Sequence, residues 1–284
     1  MPPMQRRAAL LLTLPAALVF LGVFVAPMAW FVLLSFWRVD FYEIARTPTL
    51  ANWREVWARY LPSLMYTAGV AAVTALATTA GGFAFAFLAR FRAGRWAEPL
   101  LFLVLVTLFG GYLMKIYAWK TILGNEGLLN TALLSAGLVS EPVTWLLYSP
   151  PAVVVTLLHF SLPFAILPIY ASLRGVSDGE VEAARDLGAR PGAILATVLV
   201  PRAQAGIVAA FSLVFLIVAG DYVTPLLVGG RQNMIGNLIA PQFGAAFNWP
   251  LGSAMSLAML LVATAAILLF RALLAWAVRP GGAA

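Results

Sequence analysis

Glu182-Ala-Ala-Arg-Asp-Leu-Gly188-Ala-Arg-Pro-Gly-Ala-Ile-Leu-Ala-Thr-Val198-Leu-Val-Pro201 lies inside the one compact charged segment, 174–202, of a chain of 284 residues that is otherwise almost entirely apolar. Its local chemistry reads as two short helices joined by a turn. Ser177 with Glu180 three residues on forms a capping box, and Asp178 and Glu180 sit in the first turn, where the helix dipole favours negative charge. A helix therefore starts near Asp178. Gly188 is suited to the left-handed conformation that closes a helix. Pro191 suits the first turn of the next helix, which is expected to run through Ile194 and Leu195 towards Pro201. The segment predicts a helix-turn-helix knob.

Outward from the knob, the composition is that of an integral membrane protein. Hydrophobic residues make up 62% of the chain and charged residues 10%, against roughly 25% charged in soluble domains. A bilayer core needs about 20 helical residues, and the apolar stretches predict an all-α protein of six transmembrane helices, near 9–36, 62–88, 98–119, 150–171, 202–226 and 251–277. The first is expected to be an uncleaved span, since its charge-free run is too long for a signal core.

The Lys and Arg residues set the orientation. With the N-terminus inside, eleven fall on the cytoplasmic side (Arg6, Arg7, Arg90, Arg92, Arg95, Arg174, Arg185, Arg190, Arg202, Arg271 and Arg279) and seven outside (Arg38, Arg46, Arg54, Arg59, Lys115, Lys120 and Arg231). Both termini and the knob are then cytoplasmic. The net charge of +7 reads as membrane topology, because no basic stripe with interleaved aromatics points to nucleic acid. The chain has no cysteine, which removes disulfides and thiolate metal sites. Neither a phosphate-binding G-x-x-x-x-G-K-[ST] loop nor a cluster of residues with metal-ligand or hydrolase spacing is present, so no cofactor, metal or catalytic role is expected.

Several features of the spans invite a function. Gly110-Gly111 sits in the third span and lowers the cost of bending or of close helix approach; Lys115 and Lys120 beyond it are expected to snorkel to the outer interface. Pro163 and Pro168 each remove a backbone hydrogen bond from the fourth span and are expected to bend it. His159 is the only histidine and, as an intramembrane ionisable group, is expected to face the bundle interior, either as a packing residue or as a proton or substrate contact. Asp221 lies 20 residues after Pro201, a rise of about 30 Å, so it is expected at the outer boundary beside Tyr222 and Thr224. Leu50, Trp53, Val56, Trp57 and Tyr60 recur at helical spacing in the first outer loop and predict a short interfacial helix. A second short outer helix is expected at Met234, Ile235, Leu238, Ile239 and Phe243.

The charged segment closely resembles the EAA loop of ABC importer permeases, which reads Glu-Ala-Ala, three residues, Gly, nine residues, Ile-x-Leu-Pro. Here Val198 and Val200 replace the Ile and Leu, and Leu195 stands where the longer pattern has Phe. Most of the chain after about residue 50 is similar to the spermidine/putrescine branch of those permeases, through Gly124-Asn-Glu-Gly-Leu-Leu-Asn130, Leu162-Pro-Phe-Ala-Ile-Leu-Pro168, Gly220-Asp-Tyr-Val-Thr-Pro225, and Met234-Ile-Gly-Asn-Leu-Ile239 through Asn248-Trp-Pro-Leu-Gly252. The resemblance implies a type I permease fold in a bacterial inner membrane, with an N-terminal helix and outer loop over 1–61 and a permease core over 62–284. It implies two ATP-binding subunits, a second permease and an extracytoplasmic solute-binding protein as partners. Glu182, Ala183, Ala184, Asp186, Gly188 and Pro201 are then the residues that couple to the ATPase. A polyamine carries several positive charges, and Asp221, Tyr222, Thr224 and His159 are the candidates to meet it, with Gly110, Gly111, Pro163 and Pro168 as candidate hinges. The alternatives are another small organic solute on the same mechanism, or an ion-coupled secondary transporter, which would be expected to show paired midplane charges and inverted repeats.

Overall fold

A computed structural model describes residues 3–41, 43–230 and 233–278, the stretch 3–11 by its backbone alone. Arg231 and Arg279, and the side chains of Arg6 and Arg7, on which part of the charge count rests, lie outside the described residues. The elements in chain order are helices α1 (Pro3–Phe20) and α2 (Ala26–Ser35), strands β1 (Arg38–Asp40) and β2 (Glu43–Ala45), and helices α3 (Ala51–Glu55), α4 (Leu61–Phe91), α5 (Ala97–Phe109), α6 (Tyr112–Leu123), α7 (Leu128–Ser135), α8 (Pro150–Arg174), α9 (Asp178–Asp186), α10 (Pro191–Ile194), α11 (Val200–Ala219), α12 (Val223–Val228), α13 (Ile235–Phe243) and α14 (Trp249–Ala277). Five helical runs are long and apolar enough to cross a membrane, and six if the bent pair Gly94–Phe109 and Tyr112–Ser135 is one span.

Three of the long runs contain a π-helical turn, at Leu21–Val25, Val56–Tyr60 and Leu195–Leu199. Each ends two residues before a proline, Pro27, Pro62 and Pro201. A proline has no N–H to donate and its ring crowds the carbonyl four residues back. The wider turn relieves that crowding without ending the helix. This overturns two expected boundaries. The interfacial helix at Leu50 to Tyr60 does not stand apart but runs straight into the second span, giving the 41-residue helix Ala51–Phe91. The short helix that opens at Pro191 likewise does not stop at Pro201 and is one run with the fifth span, Pro191–Ala219. By contrast α8 is uninterrupted across Pro163 and Pro168.

The chain divides into two compact units. The first holds residues up to 62 together with 238–260. Here β1 and β2 form a small antiparallel hairpin, with Val39 opposite Ile44, which the all-helical reading did not foresee. Asn52 donates to the carbonyls of Ser35 (3.0 Å) and Trp37 (2.6 Å), satisfying acceptors left over at the end of α2. Phe243 meets both Phe31 and Trp249 edge-on, with ring centroids 5.7 and 5.9 Å apart.

The second unit holds 63–237 and the last part of α14. Its centre is the packing of α8 along α11, with Leu157, Ile166, Ile169, Val214 and Phe215 fully buried. Glycines permit the approach. A methyl group on Gly206 of α11 would collide with the Pro168 carbonyl, Ser172 Oγ and Ile169 Cα of α8, and one on Gly82 of α4 would stand 2.9 Å from Ala165 Cβ. Small residues at such crossings are the usual means of drawing helices together where lipid offers no hydrophobic drive. Between α6 and α8, buried Asn130 accepts from the Val143 amide (2.8 Å) and donates to the Gly124 carbonyl (3.0 Å), holding the connecting loop closed.

Candidate functional site

The knob forms as its capping residues require. Ser177 Oγ accepts from the Glu180 amide at 3.3 Å and opens α9. The helix closes in a Schellman motif: the Ala189 amide donates to the Ala184 carbonyl (3.0 Å), the Gly188 amide to the Arg185 carbonyl (2.8 Å), and Gly188 has φ +82°. Two ion pairs then fix the knob to the spans. Arg90, in the last turn of α4, donates to Asp178 (2.9 Å) and to the Val176 carbonyl (3.1 Å). Arg202, in the first turn of α11, grips Glu180 with two hydrogen bonds of 2.7 and 3.0 Å. Those hydrogen bonds hold the Glu180 carboxyl below its ordinary pKa, with Ser177 adding to the effect.

The two faces of α9 differ. Val181, Glu182 and Arg185 line a cavity of about 810 Å³ with Phe83, Phe87 and Leu195. Ala183, Asp186 and Leu187 are exposed, and Leu187, an apolar side chain at the tip, is 88% exposed.

At the other end of α11 lies the second cluster. The helix stops at Ala219, and Asp221 opens α12 by accepting from the amides of Val223 (2.9 Å) and Thr224 (3.2 Å) through Oδ1. Tyr112, the first residue of α6, donates to the same oxygen at 2.6 Å, and its own oxygen lies 2.9 Å from Thr224 Oγ1. Asp221 is 8% exposed, and its second oxygen, Oδ2, has no hydrogen-bond partner. The Tyr112 ring packs edge-on to Phe160 of α8, centroids 4.8 Å apart. A cavity of about 250 Å³ opens here, lined among others by Tyr112, Leu157, Phe160, Asp221 and Tyr222.

The third feature is the break between α5 and α6. The two helices are bent by 97°, which replaces the single helix expected over 98–119. Gly110 and Gly111 are both extended, at φ −64°, ψ 127° and φ −54°, ψ 131°. They end one helix and begin another; they are not a flexible point within one. Lys115 does not snorkel away from the chain. Its ammonium donates to the Thr107 carbonyl (2.6 Å), which also accepts from the Gly110 amide at the end of α5 (3.3 Å), and lies 5.3 Å from the Phe160 ring centroid. Lys120 lies over Tyr148 at 5.7 Å. His159 is not in the bundle interior: it is exposed on α8, and its Nδ1 accepts from Trp119 Nε1 at 3.2 Å.

Residues 88–279 match the family described as binding-protein-dependent transport system inner membrane component. The chain belongs to this family. The permease is 37% identical over 179 residues to the spermidine/putrescine transport system permease protein PotB of Haemophilus influenzae, an alignment spanning 63% of this chain and 62% of that protein. It is 33% identical over 204 residues to the PotB of Escherichia coli, covering 72% and 74%. Its fold matches a bacterial ABC transporter involved in the import of the acidic polysaccharide alginate, with a TM-score of 0.70 over 95% of this chain and 96% of that one, at 15% identity. The permease therefore has the ABC-transporter permease fold and is a multi-pass inner-membrane protein.

The permease brings its expected residues together only in part. Glu182, Ala183, Ala184, Asp186 and Gly188 do form one knob, and Pro201 begins the span that continues from it. Asp221 and Thr224 do meet, hydrogen-bonded to Tyr112, and Tyr222 lines the same cavity as Asp221. Tyr222 is half exposed and holds Asn237 through its carbonyl (3.0 Å). His159 stands apart from that group. Sequence reasoning missed Tyr112, Phe160, Arg90 and Arg202, each set by pairing distant in the chain; the position of Tyr112 directly after the paired glycines was the one local hint.

Proposed function

We propose that this permease is one half of the membrane pathway of an ATP-driven importer of polyamines, coupled to its ATPase through the knob at Glu182 to Gly188. It works with a second permease, two ATP-binding subunits and an extracytoplasmic solute-binding protein, and supplies no catalysis of its own. Both termini are cytoplasmic, on the charge count, and the permease core is 62–284. The observation that carries the coupling role is the helical run Pro191–Ala219. Eleven residues in from Pro191 it is pinned to the knob through Arg202 and Glu180, and it ends two residues before Asp221. In this reading, the run carries displacement of the knob towards the Asp221 turn.

Polyamines are the reading that the relatives' names and the chemistry of the pathway favour together. A buried carboxylate flanked by aromatic rings replaces part of the hydration of an ammonium group. Asp221, Thr224 and Tyr222 are the pathway residues of this reading. His159, exposed beside Gly110, Gly111 and Lys115 around a cavity of about 460 Å³, serves the face of α8 on which a partner or solute passes. Gly110-Gly111 lies at the bend between α5 and α6, and Pro163 and Pro168 are the candidate hinge points within the unbroken α8. The test is hydrolysis by the purified complex with its ATPase: stimulation by the spermidine-loaded binding protein supports the reading, and stimulation only by a binding protein carrying an anionic solute contradicts the polyamine assignment.

A further inference from the structure

A carboxylate oxygen that is buried and has no partner is costly, and in a native protein it calls for an explanation. Asp221 poses that problem in an uneven form. Oδ1 is saturated by Tyr112, Val223 and Thr224, while Oδ2 of the same carboxyl has nothing. The imbalance is not needed for the fold, because capping α12 and anchoring Tyr112 use one oxygen only. The cavity that Asp221 lines is walled by the Phe160 ring and by Leu157 and Ile217. Such a site offers one negative charge, one aromatic face and an apolar sleeve.

We propose that this cavity is a receptor for a single primary alkylammonium end, with the Asp221 carboxyl turning Oδ2, which is sealed from the cavity here, to accept its N–H groups and Phe160 lying along its first methylenes. Two observations fix the chemical class. The unmet acceptor needs a hydrogen-bond donor, which a quaternary ammonium lacks. The apolar walls suit an alkyl chain in place of a hydrated inorganic cation.

Lys115, whose ammonium lies 5.3 Å from the Phe160 ring centroid, limits the site to one charge. A second ammonium close to Phe160 would meet the Lys115 charge, and like charges in a poorly hydrated place repel strongly. The volume agrees. About 250 Å³ is below the roughly 300–1,000 Å³ of sites that enclose a whole small-molecule ligand, so it takes one end of a polyamine and leaves the rest outside. Holding only one end also keeps the solute from binding so tightly that it stalls.

The proposal rests on the cationic-solute reading above, and two measurements on the assembled transporter separate them. The variant is Asp221→Asn. Its amide oxygen can keep all three hydrogen bonds of Oδ1, so the turn is preserved while the charge is lost. In the first measurement, n-butylammonium at millimolar concentration is expected to raise the melting temperature of the solubilised wild-type complex, by mass action, with tetramethylammonium giving no shift and Asp221→Asn abolishing it. This arm reads the pocket whatever solute is carried. An equal shift in wild type and variant, or none in either, overturns the proposal. In the second, uptake of putrescine and of spermidine from their loaded binding protein at subsaturating concentration is expected to fall about tenfold in Asp221→Asn, the loss of one charge-assisted contact, and by the same factor for both amines. A loss that grows with the number of charges on the solute overturns the single-end assignment. A wild-type complex that shows the butylammonium shift but imports neither amine supports the pocket and counts against the polyamine reading.

Discussion

Arg202 Nη2 lies 2.7 Å from Glu180 Oε1, so the first turn of the fifth span is tied to the first turn of the cytoplasmic knob. The pair is 22 residues apart in sequence and spans the whole turn that Gly188 makes. It converts two helices joined by a bend into a bracket.

That bracket has a pH dependence of definite sign. The Glu180 carboxyl is held below its ordinary value of about 4.5, first by its hydrogen bonds to Arg202. A lowered folded-state pKa means that the contribution to stability is fully present above the unfolded value and is lost as pH falls through the folded one. Hydrogen exchange of the α9 amides is therefore expected to be unchanged between pH 8 and about pH 5, after correction for intrinsic rate, and to accelerate at lower pH. Glu180→Gln should show the faster exchange at every pH. Equal protection in the variant at neutral pH would show that the pair does not hold the knob.

Gly188 has φ +82° and nothing within 4 Å of where a Cβ would stand. Any cost of substitution there is conformational and not steric. A left-handed backbone costs an ordinary residue roughly 1–2 kcal/mol, and Asn tolerates it best. Gly188→Val is expected to weaken co-purification of the ATPase at unchanged membrane insertion, while Gly188→Asn retains most of it. Equal behaviour of the two variants would remove backbone conformation as the cause.

Gly206 is the opposite case. A methyl group there meets the Pro168 carbonyl, a backbone atom that cannot swing aside. Overpacking of this kind typically costs about 1–3 kcal/mol, so Gly206→Ala should lower the melting temperature of the permease in detergent. Gly69→Ala, where nothing lies within 4 Å, is the control. It should be neutral or, through helix propensity, gain up to about 1 kcal/mol.

The bend between α5 and α6 is expected to depend on Lys115 more than on its glycines. Both glycines have negative φ, so Gly111→Ala can keep the backbone it has. Lys115→Met instead removes the ammonium that ties α6 to the Thr107 carbonyl, at a cost of about 1 kcal/mol. Distances between spin labels at positions 105 and 117 should broaden in Lys115→Met and stay narrow in Gly111→Ala. The reverse pattern would restore the glycines as the pivot.

How much of this was legible in the sequence follows from the range of each interaction. Ser177, Glu180, Gly188 and Pro191 act on their neighbours within a turn or two, so the start, the end and the reversal of the knob could be read directly. The spans were legible because about 20 apolar residues suffice to mark each one. The Asp221 cluster was not, since its partner Tyr112 is 109 positions away and only the bend at Gly110-Gly111 brings that phenol in. Pro27, Pro62 and Pro201 were visible as interruptions, yet a proline does not say whether a helix stops or widens; here all three helices widen. His159 was misplaced for a related reason: hydropathy locates a residue along a span but does not say which face of the bundle it occupies.

The central claim is that ATP drives solute through this permease by way of the knob, and the most direct measurement is uptake of radiolabelled spermidine into proteoliposomes holding the assembled transporter. ATP is supplied on the ATPase side and loaded binding protein on the other. Uptake is expected to require hydrolysable ATP, to be lost in Gly188→Val and to persist in Gly188→Asn. Uptake that continues without the ATPase, driven by an ion gradient across the same membrane, would contradict the account.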